Sequence, residues 1–300
     1  MVKTPAYLKK GDTVAIVSTA RKISKETIEP ALHLLEKWGL KYVLGETIGA
    51  EENQFAGSDA LRKKDFQNMM DDPSISAIWC AKGGYGTVRM LDGLDFSEFV
   101  KNPKWIVGYS DVTVLHSHIH TLGIETLHAQ ICENIEKKSE EARRTLYASL
   151  FGENASLNYI SEKHSGNKFG TAEGQLVGGN LSILYSLCGS ASAIDTRGKI
   201  LFIEDLDEYL YHVDRMMLNL KRNGMLKNLA GLIVGGMTTM HDSKIPFGKT
   251  AEEIITDAIS EYNYPVCFNF PAGHIDDNRA LIFGRKIKLE ISEKIELKYL

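Results

Sequence analysis

The stretch at residues 104–116, K-W-I-V-G-Y-S-D-V-T-V-L-H, contains a short apolar run, a tight turn and the start of a helical pattern. The run at residues 105–107 predicts a buried strand, because it is short, continuous and bounded by Gly108. Residues 112–121 then follow helical spacing, so the strand is predicted to turn directly into a helix. Such a unit is typical of a parallel sheet with crossover helices.

The same alternation continues toward the N-terminus. Short apolar runs predict strands and longer amphipathic patterns predict helices, with strands at residues 14–17, 41–44 and 76–80 and helices at residues 26–38 and 59–70. We therefore expect residues 1–149 to form one doubly wound α/β domain.

The second half of the chain has a different pattern. Residues 150–168 are polar and rich in Asn and Ser, which predicts an interdomain linker. Beyond it, residues 169–300 are richer in strands and predict a smaller, mixed α/β domain. The predicted strands lie at residues 175–177, 200–203, 232–234 and 266–268, followed by a terminal hairpin of residues 280–290 and 294–299.

The composition is that of an ordinary soluble globular protein, with 43% hydrophobic and 25% charged residues. The net charge is -4 and the signs are interspersed, so no basic stripe indicates binding to nucleic acid or to a membrane surface. No window approaches the roughly 18 apolar residues of a membrane span, and the N-terminus has no secretory pattern. We expect a cytoplasmic protein without nucleic-acid or membrane partners.

Ser110 follows the strand of the opening stretch and precedes its helix. One interpretation is a helix N-cap, because a serine hydroxyl accepts a hydrogen bond from a free backbone N–H, and Asp111 would serve equally well. The other is a nucleophile raised above the carboxyl edge of the sheet by a strand-to-helix turn. The G-x-S-x-G pattern is incomplete, because Val112 stands where the second glycine would be. The local sequence leaves both interpretations open.

A glycine-rich loop, Lys82-Gly83-Gly84-Tyr85-Gly86, follows the strand at residues 76–80. Its glycines indicate positive φ angles or a close approach of the backbone to another group. The spacing matches neither the dinucleotide fingerprint nor the P-loop, which leaves a plain turn or an oxyanion donor. Because parallel strands end at the same edge of a sheet, we expect this loop to lie near Ser110.

Two further polar residues follow apolar strands in the second half. Glu204 begins an acidic cluster with Asp205, Asp207 and Glu208, of which the last two suit the N-terminus of a helix better than Glu204 does. His274 lies on a Pro/Gly loop in F-P-A-G-H-I-D-D, where it is either an exposed histidine or a positioned general base.

The histidines offer a competing metal site. His116, His118 and His120 would share a face on a strand, as zinc ligands do, but on the predicted helix only His116 and His120 share one. A zinc hydrolase using His116, His120 and His128 remains an alternative. The four cysteines are scattered in apolar segments without a C-x-x-C pair, which favours buried free thiols over disulfides or zinc ligands.

Six motifs, in order along nearly the whole chain, resemble the LD-carboxypeptidase family of serine peptidases. They are P-A-Y-L-K-K-G-D-T-V-A-I-V, A-K-G-G-Y-G-T-V-R-M-L, I-V-G-Y-S-D-V-T-V-L-H, G-Q-L-V-G-G-N-L-S-I-L, L-F-I-E-D-L-D-E-Y-L-Y-H-V-D-R-M and F-P-A-G-H-I-D-D-N-R-A-L. The chain departs from the family pattern at Ala129 and Gln130, where Gly-Pro is common, and at residues 18–20, where a Pro-containing turn is usual. These departures bear on the substrate pocket.

The resemblance implies a catalytic triad of Ser110, Glu204 and His274. It implies that a flavodoxin-like N-terminal domain carries the serine, that the C-terminal domain carries the acid and base, and that the protein is a homodimer without metal or cofactor. On this basis we expect oxyanion donors at the backbone N–H groups of Gly84 and Asp111. Recognition of the substrate's free carboxylate is assigned to Arg89 or Arg279, because a guanidinium matches a carboxylate.

The activity implied is hydrolysis of the L,D-amide before the terminal D-alanine of a murein tetrapeptide, in cell-wall recycling. Detoxification of a peptidyl-nucleotide such as microcin C is the alternative within the family. A catalytically silent ligand-binding protein on the same fold is a third hypothesis, motivated by Ala129 and Gln130.

Overall fold

In the computed structural model, which describes residues 2–153, 157–160 and 164–300, the four strands predicted in the first half form one parallel sheet with a fifth strand that was not predicted. The strands are β1 (Thr13–Val17), β2 (Lys41–Leu44), β3 (Ile75–Cys80), β4 (Trp105–Gly108) and β5 (Thr126–His128). The helices are α1 (Lys25–Lys37), α2 (Asp59–Asp71), α3 (Thr87–Leu91), α4 (Ser97–Lys101), α5 (Thr113–Thr121) and α6 (Glu140–Phe151), with 3₁₀ turns at Ser110–Val112 and Ile135–Lys137.

The strand order of this first sheet is β2-β1-β3-β4-β5, with every neighbouring pair parallel. This is the flavodoxin-like doubly wound order, so the predicted fold class is confirmed. In such sheets, ligands bind outside the carboxyl ends of the strands. The loops after β1, β3 and β4 all lie at that edge.

The second half forms a mixed sheet in the order β10-β9-β8-β7-β12-β13-β6. Its strands are β6 (Leu157–Ile160), β7 (Gly170–Asn180), β8 (Ile200–Leu206), β9 (Gly231–Thr238), β10 (Val266–Cys267), β12 (Lys286–Ile291) and β13 (Lys294–Tyr299), and its helices are α7 (Leu181–Ser186), α8 (Leu210–Arg222) and α9 (Ala251–Ala258). Strands β7 to β10 are parallel, whereas β12, β13 and β6 pair antiparallel. The predicted mixed α/β character of this half is confirmed.

The predicted single strand at residues 280–290 is wrong. The structure divides it at Gly284 into β11 (Leu281–Phe283), which pairs antiparallel with β5 of the first sheet, and β12 of the second. Gly284 has a φ of +90°, a turn that L side chains rarely adopt, and its N–H donates to Leu176 O at 2.7 Å. The chain therefore leaves one sheet at Gly284 and enters the other.

The boundaries at residues 149 and 169 stay a prediction. Within the predicted linker, residues 154–156 and 161–163 lie outside the described residues, and strand β6 lies between these two gaps.

In the described part of the chain, no helix is long and apolar enough to cross a membrane. The four cysteines, all of them among the described residues, form no disulfide; three are buried and Cys188 is half-buried.

The two sheets meet where helix α5 lies against strand β7. A Cβ placed on Gly179 would come within 2.5 Å of Thr113 Oγ1, so only glycine allows this approach. The same hydroxyl accepts a hydrogen bond from the N–H of Asn180 at 3.0 Å. This contact brings the carboxyl end of β7 next to the turn that carries Ser110.

Candidate active site

A cavity of about 460 Å³ opens between the carboxyl ends of the two sheets. The first sheet contributes Arg21, residues 82–84 and residues 109–111, the second contributes Asn180 and residues 205–208, and His274 also lines it. Polar and charged groups from distant parts of the sequence therefore share one solvent-accessible space.

Ser110 lies at the sharp turn between β4 and α5. Its φ is +63°, a left-handed conformation that costs a residue other than glycine about 1–3 kcal/mol. Gly108 permits the turn, since a Cβ there would lie 2.8 Å from Val112 Cγ2. Such a strained strand-to-helix turn presents a side chain above the sheet edge. The helical segments here have Tyr109 and Val112 as their N-caps, so of the two interpretations of Ser110 the helix cap does not apply.

The glycine-rich loop packs directly against this turn. A Cβ on Gly83 would come 3.1 Å from Ser110 Cβ and 3.2 Å from its Oγ. Gly84 has a φ of +105°, and the Arg21 side chain occupies the space that a Cβ would need. Gly83 is thus needed for the close approach to Ser110, and Gly84 for its positive φ, which are the two reasons for glycine expected from the sequence.

Asp111 connects the loop to the turn. Its Oδ2 accepts a hydrogen bond from the N–H of Thr87 at 2.8 Å, so it satisfies the first N–H of α3 rather than capping its own helix. Burial raises the pKa of the Asp111 carboxyl, while the bonds from Thr87 act against that rise. The other oxygen, Oδ1, has no hydrogen-bond partner among the described residues.

Glu204 lies on β8 and is fully buried. Its Oε2 is 2.6 Å from His274 Nδ1 and 3.1 Å from the backbone N of His274. Because a carboxylate only accepts, Nδ1 carries the proton and Nε2 is left as the basic nitrogen. A Cβ on Gly273 would come 2.8 Å from Glu204, so glycine is required for this approach. The His274 ring lies 4.7 Å from that of Tyr109, the neighbour of Ser110.

The sequence interpretation missed a second buried pair. Asp205 Oδ1 accepts from Asn180 Nδ2 and Asp205 Oδ2 accepts from the N–H of Ser182, both at 2.9 Å. Burial, and next the charge of Glu204, raise the pKa of Asp205 to about 7. Asn180 on β7 is the strand partner of Glu204 on β8, so the Asp205–Asn180 pair lies beside the contact between Glu204 and His274. The acidic cluster was the signal, but among its members only Glu204 was assigned to the site.

Arg89 and Arg279, the residues predicted to bind the substrate carboxylate, do not line the cavity. Arg89 pairs with Asp59 at 2.6 Å and Arg279 with Asp277 at 2.8 Å. The cavity instead contains Arg21 and Lys82. Arg21 was missed because nothing local distinguishes an arginine four residues after a strand.

The predicted zinc ligands do not form a metal site. Both ring nitrogens of His116 are engaged, Nδ1 with Thr126 Oγ1 at 2.8 Å and Nε2 with Gly108 O at 2.9 Å. His120 Nε2 lies 2.8 Å from Lys199 Nζ, while His128 is buried on β5. Across residues 2–153, 157–160 and 164–300, no group of three or more His, Cys, Asp or Glu could hold a metal ion.

Ala129 and Gln130 are buried, and neither lines the cavity, contrary to the expectation that this departure shapes the pocket. The Gln130 carbonyl accepts from Trp79 Nε1 at 2.8 Å, and its side chain donates to Glu133 O at 2.9 Å. Gln130 therefore supports the backbone beside the cavity.

Two family models match the chain: the LD-carboxypeptidase N-terminal domain at residues 14–129 and the LD-carboxypeptidase C-terminal domain at residues 173–289. The chain is 36% identical to the probable murein peptide carboxypeptidase of Bacillus subtilis, over 97% of this chain and 92% of the relative. It is 28% identical to the murein tetrapeptide carboxypeptidase of Pseudomonas aeruginosa, over 92% of each chain.

Solved structures share the fold over nearly their whole length. The muramoyltetrapeptide carboxypeptidase from Oxalobacter formigenes has a TM-score of 0.87 and 26% identity, covering 96% of this chain and 98% of that one. The microcin C7 self-immunity protein MccF, in complex with aspartyl sulfamoyl adenosine, has a TM-score of 0.89 and 23% identity, covering 100% and 98%.

Proposed function

The chain belongs to the LD-carboxypeptidase family and is a serine-type carboxypeptidase, and from this premise we propose that it removes the terminal D-alanine of a murein tetrapeptide. The observation that carries the proposal is the buried Glu204–His274 pair, whose histidine shares a cavity with the strained Ser110. The names of the two curated murein peptide relatives support the substrate class.

In the proposed mechanism, Ser110 is the nucleophile and His274 the general base. His274 Nε2 takes the proton from Ser110 Oγ, which attacks the carbonyl carbon of the amide before the D-alanine. The imidazolium then gives this proton to the leaving amine, and the acyl group remains on Ser110 as an ester. Water, deprotonated by His274, attacks the ester and restores the free serine.

Glu204 is assigned to orientation and charge stabilisation. The bond from His274 Nδ1 to Glu204 Oε2, 2.6 Å long, favours the tautomer with a basic Nε2. The carboxylate is fully buried, so its attraction for the imidazolium formed during the reaction is weakly screened by solvent. The proposed chemistry needs no metal ion or cofactor.

The N–H groups of Gly84 and Asp111 are proposed as oxyanion donors. The packing of the glycine-rich loop on Ser110 supports this, because a donor must lie beside the carbon under attack. Removal of one such donor typically costs about 3 kcal/mol of transition-state stabilisation. The loop is held in place through Asp111 and Thr87.

The test is mass spectrometry of purified protein incubated with tetrapeptide and pentapeptide stems. We expect loss of one D-alanine from the tetrapeptide alone, and no loss with Ser110→Ala. An unchanged tetrapeptide would contradict the proposed substrate, and full activity of Ser110→Ala would contradict the proposed nucleophile. Unchanged hydrolysis after treatment with a metal chelator is expected as well. The proposal also includes a cytoplasmic homodimer, and light scattering in solution checks the dimer.

A peptidyl-nucleotide is the second candidate substrate. Tyr209 and Tyr211 are 45% and 44% exposed and follow Glu208 of the cavity wall, where an aromatic ring can stack on a nucleobase. Incubation with aspartyl sulfamoyl adenosine, the ligand in the MccF structure, distinguishes the two candidates. Release of aspartate from it, without release of D-alanine from the tetrapeptide, would favour the nucleotide substrate.

A further inference from the structure

We propose that Arg21 binds the terminal carboxylate of the substrate, an inference that rests on the proposed carboxypeptidase function. An enzyme that cuts one residue from a chain end must distinguish a free carboxylate from an internal amide. A guanidinium suits this role because its planar donors bind both oxygens of a carboxylate.

The backbone of Arg21 is fixed to the loops of the first sheet. Its N–H donates to Gly83 O at 3.4 Å, and its carbonyl accepts from Ser18 Oγ at 2.6 Å. It also forms a β-bridge with Phe55. The base of the side chain is therefore held beside the glycine-rich loop.

The Arg21 side chain lies against Gly84, and the proposed nucleophile, Ser110, lies against the preceding residue, Gly83. Its Nε is 2.6 Å from the Cβ position of Gly84, whereas Ser110 Oγ is 3.2 Å from the Cβ position of Gly83. Consecutive residues are separated by about 3.8 Å between their Cα atoms. In the substrate, the scissile carbonyl and the terminal carboxylate are likewise separated by one residue. Arg21 and Ser110 thus contact consecutive residues of the loop, just as the two substrate groups belong to consecutive units of the peptide.

Unlike the other cationic side chains considered for this role, Arg21 forms no ion pair among the described residues. Lys82, also on the cavity wall, pairs with Glu133 at 2.6 Å, and Arg89 and Arg279 pair with aspartates. Over the residues that the structure describes, the Arg21 side chain has no hydrogen bond or ion pair with protein. Its guanidinium is therefore available to a ligand.

The charges of the cavity favour this direction of binding. On the side of the second sheet, the wall carries Asp205 near the end of β8 and Asp207 and Glu208 just after that strand. Asp207 and Glu208 repel a substrate carboxylate from that side. Arg21 attracts it to the first sheet, where Asp111 and Glu133 also line the wall and Glu133 is paired with Lys82. The D-residue is thereby placed toward Arg21 and the rest of the peptide toward the second sheet.

The test compares tetrapeptide carrying a free terminal carboxylate with its C-terminal amide, using calorimetric binding to the Ser110→Ala protein. We expect Ser110→Ala to prefer the acid, and Arg21→Met to weaken binding of the acid by roughly 10- to 100-fold and of the amide by less than about threefold. Arg21→Lys should recover part of the preference. Arg197→Met is the matched control, since Arg197 is exposed and pairs with Asp195 outside the cavity.

Equal weakening of acid and amide, or no preference for the acid before substitution, would overturn the assignment of Arg21. Arg21 variants are compared only after circular dichroism shows an unchanged fold, and Arg21→Lys provides the test if Arg21→Met does not fold. D-alanine release is measured in parallel with Ser110 intact. Its absence overturns the proposed function itself, and this result is distinct from a failure of Arg21 alone.

Discussion

Glu204 Oε2 accepts two hydrogen bonds from His274, one from the ring and one from the backbone. The bond from the backbone N–H fixes the position of the His274 main chain, and the bond from Nδ1 fixes the orientation of the imidazole ring. One buried carboxylate oxygen thus determines both the position and the tautomer of the proposed base.

Glu204→Gln should keep the shape of this contact and remove its charge. We expect kcat to fall about 10³- to 10⁴-fold, because the amide no longer enforces the tautomer or stabilises the imidazolium. The measurement is D-alanine release under saturating tetrapeptide. Glu173→Gln, at an exposed position of β7, is the control and should leave kcat unchanged. A decrease of less than tenfold for Glu204→Gln would contradict the assigned role.

Gly83→Ala should reduce activity more than stability. The new methyl group would lie 3.1–3.2 Å from the Ser110 side chain, so the serine must move. The required shift is a few tenths of an ångström, and since a misplacement of about 1 Å can cost roughly 100-fold, we expect kcat/KM to fall by roughly tenfold. Gly224→Ala is the control, because Gly224 has a φ of +75° but no atom within 4 Å of an added Cβ. This variant should lose about 1 kcal/mol of stability and keep full activity. Full activity of Gly83→Ala would contradict the packing argument.

Asp205 should make the folded state lose stability as the pH rises. Its folded pKa of about 7 lies above the ordinary value, so the folded protein binds the proton more tightly than the unfolded chain does. The free energy of unfolding should therefore decrease between about pH 4 and 7, by at most roughly 1.4 kcal/mol per pH unit from this group.

Urea unfolding of the wild type and Asp205→Asn, at pH 5 and pH 7.5, isolates this contribution as a difference. The wild type should lose more stability than the variant over that interval. Parallel pH dependences in the two proteins would show that Asp205 does not titrate there.

Arg285→Met should destabilise the junction between the sheets. Arg285 lies between β11 and β12, and its Nη2 is 2.5 Å from Oε2 of Glu125, which is buried. Loss of the arginine leaves a buried carboxylate unpaired, at a cost of about 3–5 kcal/mol. The double variant Glu125→Gln with Arg285→Met should lose less, as measured by urea unfolding. A double variant less stable than Arg285→Met would contradict this account.

Strands β1, β3 and β4 were predictable because strands buried on both faces are continuous apolar runs between glycines and helical patterns. Strand β5, which has only three residues, was not predicted. Strand β11 was not recognised as separate, since Leu281–Phe283 is followed by Lys286–Ile291 after only two residues and their different partners depend on distant parts of the chain. Local propensity carries no information about which sheet a strand joins.

The site follows the same division. Ser110 and the glycine-rich loop were predictable as neighbours from the shared sheet edge, whereas Glu204 and His274 needed the family motifs to be selected. Asp205 with Asn180, and Arg21, were missed because their importance depends on burial and on which residues face one cavity. Those properties arise only when both sheets are assembled.

The pairing of β11 with β5 has a consequence for synthesis on the ribosome. Strand β5, next to the strand that leads to Ser110, keeps an open edge until residues 281–283 have emerged, and such an edge is a site for association with other chains. His274 emerges only shortly before them. From the synthesis of residue 110 until that of residue 274, the nascent chain therefore contains Ser110 but neither its proposed base nor the last strand of its own sheet.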